Sequence, residues 1–402
     1  MLRTFLLALI VASTPSLTAQ AGSLATIFSF PATSTTFGRG PGAGLTELDG
    51  VLYGTTEWGG SNQAGSVFSI DPDGTNFQTL YSFGAKADGF AYRPEAPVTI
   101  VGSRIYGTTH FGGGAQEGIA YAMDLSGVNF KLLHTFVTQT GSYPQSGLTM
   151  VNGVLYGSAP EKTLFNNGAL YSIDAAGFYN VVHTFLDSVS HDGNHPSSAL
   201  LQVGSQLYGT ADYGGLQGGG TLFSMNPDGS AFTVLHNFAL QGLPSAGLTL
   251  VGSRLYGTTR NGSSGFGNIY SLNLDGSDFQ VLHSFAASEG TFPNGLTAVG
   301  SRLYGTTQSG ASFNGGSLFS LNLDGSDFQV EHVFHNSLTE GERPFGNLLL
   351  LGSTLYGTTS AGGATDSGTI FTYTVPEPGT WLLALVGSVG VGAVVRRAHR
   401  RK

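Results

Sequence analysis

Three short stretches join a polar side chain to an aromatic ring at one recurring place: Glu57-Trp58, His110-Phe111 and Asp212-Tyr213, with Arg260-Asn261 standing at the equivalent place further on. A flat ring beside a carboxylate or an imidazole can hold a sugar, since the ring offers apolar area and the polar groups fix orientation. The competing expectation is that these rings pack between neighbouring repeats and cover strand ends. Carboxylates available for general acid–base work are Glu57, Asp212, Glu289, Glu340 and Glu342. Two of them at a suitable separation could hydrolyse a glycosidic bond, but the sequence places no pair together. There is no serine elbow, phosphate loop or HExxH pattern, so no catalytic constellation is visible and no cofactor is implied.

Metal chemistry fares no better. His134, His183, His236, His283 and His332 share one place in successive repeats; on separate sheets they cannot converge on one ion, and packing at sheet edges is expected. Asp71-Pro72-Asp73-Gly74 and Asn322-Leu323-Asp324-Gly325 resemble the start of a calcium loop but lack its later ligands, including the bidentate Glu. They read as hairpin turns. The chain has no cysteine, which removes disulfides and thiol ligands from consideration.

The elements that must position these residues recur. Leu303-Tyr304-Gly305-Thr306-Thr307 has close copies at residues 52–56, 105–109, 155–159, 207–211, 255–259 and 355–359, with successive tyrosines 53, 50, 52, 48, 48 and 52 residues apart. Seven copies at this period mean a repeat array, and charged residues at 10 % with 62 glycines and 27 phenylalanines suit short strands and tight turns. Each unit holds four apolar runs, A to D, too short for helices. In the sixth unit A is 295–299, B is 302–307, C is 316–321 and D is 328–334, with an Asp-Gly turn between C and D. A proline (Pro41, Pro94, Pro144, Pro196, Pro244, Pro293, Pro344) precedes each A run by a few residues and fixes φ at the start of the strand.

Run D ends in a shared phenylalanine six times; the seventh copy is the N-terminal Leu24-Ala25-Thr26-Ile27-Phe28-Ser29-Phe30. The chain thus begins with a lone D and ends after a lone A-B-C. That offset predicts an all-β, seven-bladed β-propeller over residues 22–374, closed by the N-terminal strand; an open solenoid has no use for it. In a propeller the tight A–B and C–D turns share one face. The long, variable B–C and D–A loops share the other, where binding is expected.

The two ends read as addresses. Residues 1–21 have Arg3, an apolar run and the small residues Ala19 and Ala21 at the cleavage positions of a secretory signal peptide. Gly379 to Val395 is a run of 17 uncharged residues followed by an arginine-rich tail, the pattern of a short transmembrane helix with its basic end in the cytoplasm. Without Arg3 and that tail, ten basic residues face 25 acidic ones, so the middle carries about −15 and is repelled by nucleic acid. With Pro376-Glu377-Pro378 directly before the span, residues 375–402 resemble the PEP-CTERM sorting signal. That resemblance implies an exosortase as partner, removal of helix and tail, and release to the cell surface or medium. The repeats, over roughly residues 24–375, resemble the GloVer tandem repeat of secreted bacterial proteins, which implies no defined activity. The resulting expectation is a non-enzymatic, surface-sorted binding or matrix component. Exopolysaccharide and envelope proteins are its candidate partners. A polysaccharide hydrolase or lyase using loop carboxylates, and a protein-interaction scaffold, are the alternatives.

Overall fold

The computed structural model describes residues 22–32, 36–163, 167–262, 264–335 and 338–376. The expected signal peptide, the expected span with its basic tail, and Glu377 and Pro378 lie outside the described residues; Pro376 lies inside them. Helix in the described residues is limited to a single turn at Asp187–Ser190 and a 3-10 turn at Lys86–Asp88, and no helix is long and apolar enough to cross a membrane.

Seven four-stranded antiparallel sheets form a closed β-propeller. Blade 1 runs Thr46–Leu48, Val51–Thr56, Ser66–Ile70 and Gln78–Ser82 from A to D, and the same order repeats through blade 6, which ends with Gln329–Val333. Blade 7 supplies Gly341–Leu351, Thr354–Gly362 and Thr369–Thr374 from the C-terminal side and takes its fourth strand, Ser23–Ser29, from the N-terminus. The register is that of the other blades: Ser29 faces Thr369 as Ser284 faces Asn268, and a one-residue bulge interrupts the C–D ladder at the same point. Ring closure by the N-terminal strand is therefore as the phase of the repeat predicted.

The Leu-Tyr-Gly-Thr-Thr motif divides its work residue by residue. The leucine is buried inside its own blade, while the tyrosine packs into the apolar cluster of the next blade: Tyr53 joins Ile105 and Tyr121, and Tyr356 joins Leu52 and Phe68 across the closure. The glycine makes room for an aromatic ring rather than for crowded backbone. A Cβ on Gly54 would sit 2.5 Å from Phe68 Cζ, its cross-strand partner, and one on Gly305 would sit 2.6 Å from Phe319 Cζ. The first threonine reaches across to the next blade, as Thr55 Oγ1 donates to the carbonyl of Ala96 at 3.1 Å and Thr358 Oγ1 to that of Ala43 at 2.8 Å. The second is buried within the blade, for example in the Thr56–Ser66 hydroxyl pair at 2.8 Å.

On the outer strands the histidine row is packing, as expected, and specifically stacking between blades. His134 lies flat on Tyr179 at 3.8 Å, His183 on Phe232 at 3.9 Å, His236 on Phe279 at 3.8 Å and His283 on Phe328 at 3.7 Å. The first strands of adjacent blades are joined by threonine hydroxyls, such as Thr99 Oγ1 to the carbonyl of Leu148 at 2.6 Å, which places strand A innermost.

Candidate functional site

The site grows from a backbone irregularity that all seven blades share. The residue before each proline, namely Gly40, Arg93, Tyr143, His195, Leu243, Phe292 and Arg343, has φ between 54° and 63°. This left-handed conformation is costly for any residue with a Cβ, and the six non-glycine cases include bulky aromatic and basic side chains. In blade 7 the A–B ladder keeps its register through Arg343 and breaks just beyond the proline, between Phe345 and Leu349; in blade 6 it runs through Phe292 and breaks between Pro293 and Leu296. In blades 1 to 4 a short outer pairing lies beyond the break, such as Arg39 with Trp58 or Tyr92 with Phe111. A bulge of this kind re-aims a side chain.

Hydrogen bonds hold each such residue. Its N–H donates to the preceding blade in all seven cases, and in blades 1, 2, 4 and 5 its carbonyl accepts from the residue that follows strand B in its own blade; in blade 3 that residue is Pro160, which has no N–H. For Arg93 these are the carbonyl of Ala64 at 3.0 Å and the N–H of His110 at 2.9 Å; for His195 they are the carbonyl of Asn167 at 2.8 Å and the N–H of Asp212 at 3.2 Å. The following proline packs on the preceding blade at the glycine that opens strand C, since a Cβ on Gly65 would lie 2.6 Å from Pro94 Cδ and one on Gly220 equally close to Pro244 Cδ. The prolines are thus inter-blade contacts as well as strand starts.

The polar residues noted after strand B meet this ring. Glu57 of blade 1 pairs with Arg93 of blade 2 at 3.6 Å, Arg93 also pairs with Glu95, and Glu95 reaches His110 Nδ1 at 3.0 Å. The Arg93 guanidinium lies 5.3 Å from the Trp58 ring centre and 5.7 Å from that of Phe111. His110 stacks on Tyr143 of blade 3 at 5.2 Å, and Phe111 on Tyr92 at 4.8 Å. Burial, and then the charge of Glu95, push the Glu57 carboxyl above its ordinary pKa of 4.5 against the pull of Arg93.

Asp212 and Tyr213 belong to a separate cluster. Asp212 is 3.1 Å from His195 Nδ1 and accepts from Ser197 Oγ at 2.7 Å, while Tyr213 meets the edge of His195 at 5.6 Å. Burial alone would lower the His195 pKa, but the hydrogen bond and charge of Asp212, with Glu161 at 3.9 Å, outweigh it and raise the value above 6.5. Arg260 stands in a third place, over Phe292 of blade 6 at 4.9 Å. Of the seven site residues, Glu57, Trp58, His110 and Phe111 thus come together, while Asp212 with Tyr213, and Arg260, make their contacts in separate clusters.

Of the remaining candidate acids, Glu289 and Glu340 are already engaged. Glu289 accepts from Ala286 N–H at 2.8 Å and holds His283 at 3.0 Å, and Glu340 is shared between His332 and His335. Glu342 faces Ala361 in the blade 7 ladder. The calcium-like stretches are hairpin turns in which Asp73 accepts from Thr75 and Asp324 from Ser326, and no group of three metal-ligating side chains occurs among the described residues. Sequence reading missed Arg93, Glu95, Tyr143 and His195; the repeated proline beside each was the available signal.

A closed β-propeller built from tandem repeats is consistent with a binding or scaffold role. The chain belongs to the Gloeobacter/Verrucomicrobia repeat family, whose model matches residues 13–215 and 195–393. The sequence matches none of the curated proteins. Among solved structures, an oligogalacturonate lyase from Vibrio parahaemolyticus is 12% identical with a TM-score of 0.53, covering 89% of this chain and 98% of its own. TolB from Acinetobacter baumannii is 14% identical with a TM-score of 0.42, over 66% of this chain and 58% of its own. A chain of a nidogen/laminin complex is 20% identical with a TM-score of 0.41, over 61% of this chain and 83% of its own. The first is a likeness of fold alone.

Proposed function

We propose that this is an exported, surface-sorted binding propeller whose loop face recognises polysaccharide at the cell envelope. One observation carries the reading. At a single backbone position the repeat holds six side chains of five kinds in a left-handed conformation, while the strands around them stay nearly uniform. Backbone cost borne at six of the seven blades, with the side chain differing between them, supports a presentation surface rather than packing. The aromatic–polar cluster of Trp58, Phe111, Arg93, Glu57 and His110 supplies the stacking area and hydrogen-bonding groups a sugar needs. Export by the N-terminal signal and sorting by an exosortase acting at Pro376-Glu377-Pro378 complete the proposal.

The test is a broad glycan array probed with residues 22–376. Saturable binding to polysaccharide supports the proposal; no binding to any glycan removes the polysaccharide part and leaves the protein-scaffold alternative. Sorting is tested by replacing residues 376–378 with alanine in the producing cell, where retention in the membrane is expected and unchanged release contradicts it. The hydrolase or lyase alternative draws on one specific feature: Glu57 and Glu95 are near enough for the charge of one to raise the pKa of the other. Appearance of new reducing ends with the native protein, lost in Glu57→Gln, would establish it.

A further inference from the structure

Six of the seven left-handed positions carry a side chain, and the seventh is Gly40. Nothing about the backbone requires glycine there, because its φ of 63° is matched by 60° at His195 and 59° at Tyr143. Packing does not require it either: a Cβ at Gly40 would find its nearest neighbours at ordinary contact distance, Trp58 Cδ1 at 3.6 Å and the Ser360 carbonyl at 3.7 Å. The missing side chain leaves a shallow depression of about 290 Å³ lined by Arg39, Gly40, Trp58, Ser360, Asp366 and Ser367, at the seam where blade 7 meets blade 1.

The lining is mixed in a definite way. Trp58 is 41% exposed and presents ring area, and Arg39, its cross-strand partner, is exposed. One Asp366 carboxylate oxygen is held by the Gly362 N–H at 2.8 Å, which fixes the side chain and leaves the other oxygen to accept. An aromatic platform sharing its depression with a fork of donors and an oriented acceptor complements a sugar ring, whose C–H face stacks while adjacent hydroxyls accept from the arginine and donate to the carboxylate. Arginine and aspartate balance locally, and the body around them carries about −15, which disfavours a polyanion. We infer that the place vacated by Gly40 is a subsite for one neutral pyranose unit of a glycan chain, with Trp58 as platform and Arg39 and Asp366 as its hydrogen-bonding partners. The inference rests on the loop face being a glycan-binding surface and locates one subsite on it.

Trp58 is the single tryptophan of residues 22–376, since the other is Trp381, so its emission reports on the subsite directly. The experiment titrates that propeller body with neutral gluco- and manno-oligosaccharides, and with oligogalacturonates as anionic counterparts. A saturable change in Trp58 emission with a neutral series is expected. It should weaken at least tenfold in Gly40→His, a residue that blade 4 already accommodates at the same position, and in Arg39→Ala, which leaves the backbone alone. Thermal midpoints near that of the native protein confirm that both variants are folded. Neutral-sugar binding that persists in both variants overturns the subsite while leaving glycan binding elsewhere on the face intact, and a response to oligogalacturonates alone overturns its neutral specificity. Silence with every sugar, on the array and in the titration, overturns the subsite together with the wider glycan reading.

Discussion

Arg93 and Trp58 come from neighbouring blades, yet the guanidinium lies 5.3 Å from the centre of the indole ring and is held there by carboxylates from both blades, Glu57 and Glu95. A cation over an aromatic face contributes about 0.5–2 kcal/mol according to its exposure. Arg93→Ala is expected to shift Trp58 emission to the red as the ring gains solvent, and to raise the Glu57 pKa further by removing the cation that lowers it most. A pH titration of Trp58 fluorescence in native and variant proteins checks both. An unchanged midpoint would show that Arg93 does not couple to Glu57.

The fold was legible because its cause is periodic. Tyr53, Gly54 and Thr55 have counterparts every 48–53 residues, and the solitary N-terminal Phe30 shows by its phase that the ring closes. The candidate site was legible only in part. Trp58 and Phe111 follow a recognisable strand and were found. Arg93, Tyr143 and His195 precede prolines, and a left-handed backbone at a non-glycine residue leaves no mark on composition. That Tyr213 stands apart from Trp58 depends on which blades are neighbours in the ring, and a list of similar dipeptides does not carry that information. The role of the motif glycine was not legible either, since the space it leaves is taken by Phe68 or its counterpart on strand C, half a hairpin away in sequence.

That last point gives a sharp test. Gly305→Ala places a Cβ 2.6 Å from Phe319 Cζ, with both residues inside a packed core, and overpacking of this kind costs about 1–3 kcal/mol. Phe319→Leu should recover part of that loss, so the double variant is less destabilised than the two single costs added together. Urea unfolding of the four proteins measures the coupling. Strict additivity would mean that the ring does not need the glycine.

Two histidines should titrate in opposite directions. Burial against Tyr179 pushes the His134 pKa down to about 4, so its contribution to stability is present above 6.5 and is lost as pH falls through that lower value. His195, raised by Asp212, contributes stability that is present below 6.5 and lost as pH rises through its folded pKa. His134→Phe should flatten the acid limb of the stability curve, and Asp212→Asn should lower the His195 midpoint. Imidazole resonances followed by NMR against pH report each one separately.

Ring closure depends on a strand that begins at Ser23. Deleting residues 22–30 leaves the edge of Thr369–Thr374 unpaired and takes buried Phe30 from its place against Phe68. An exposed edge of this kind recruits other chains. The truncated protein is expected to melt at lower temperature and to self-associate in size-exclusion chromatography. A monomer of native thermal midpoint would contradict closure by this strand.

The central claim is that the left-handed ring at the seven prolines is the recognition face. Hydrogen–deuterium exchange on residues 22–376, with and without a glycan that binds on the array, tests it most directly. The account predicts added protection in the segments around Gly40, Arg93, Tyr143 and His195 and in the stretches just after strand B, with the hairpin turns at Asp73 and Asp324 unchanged. Protection confined to those turns, on the opposite face, would contradict it.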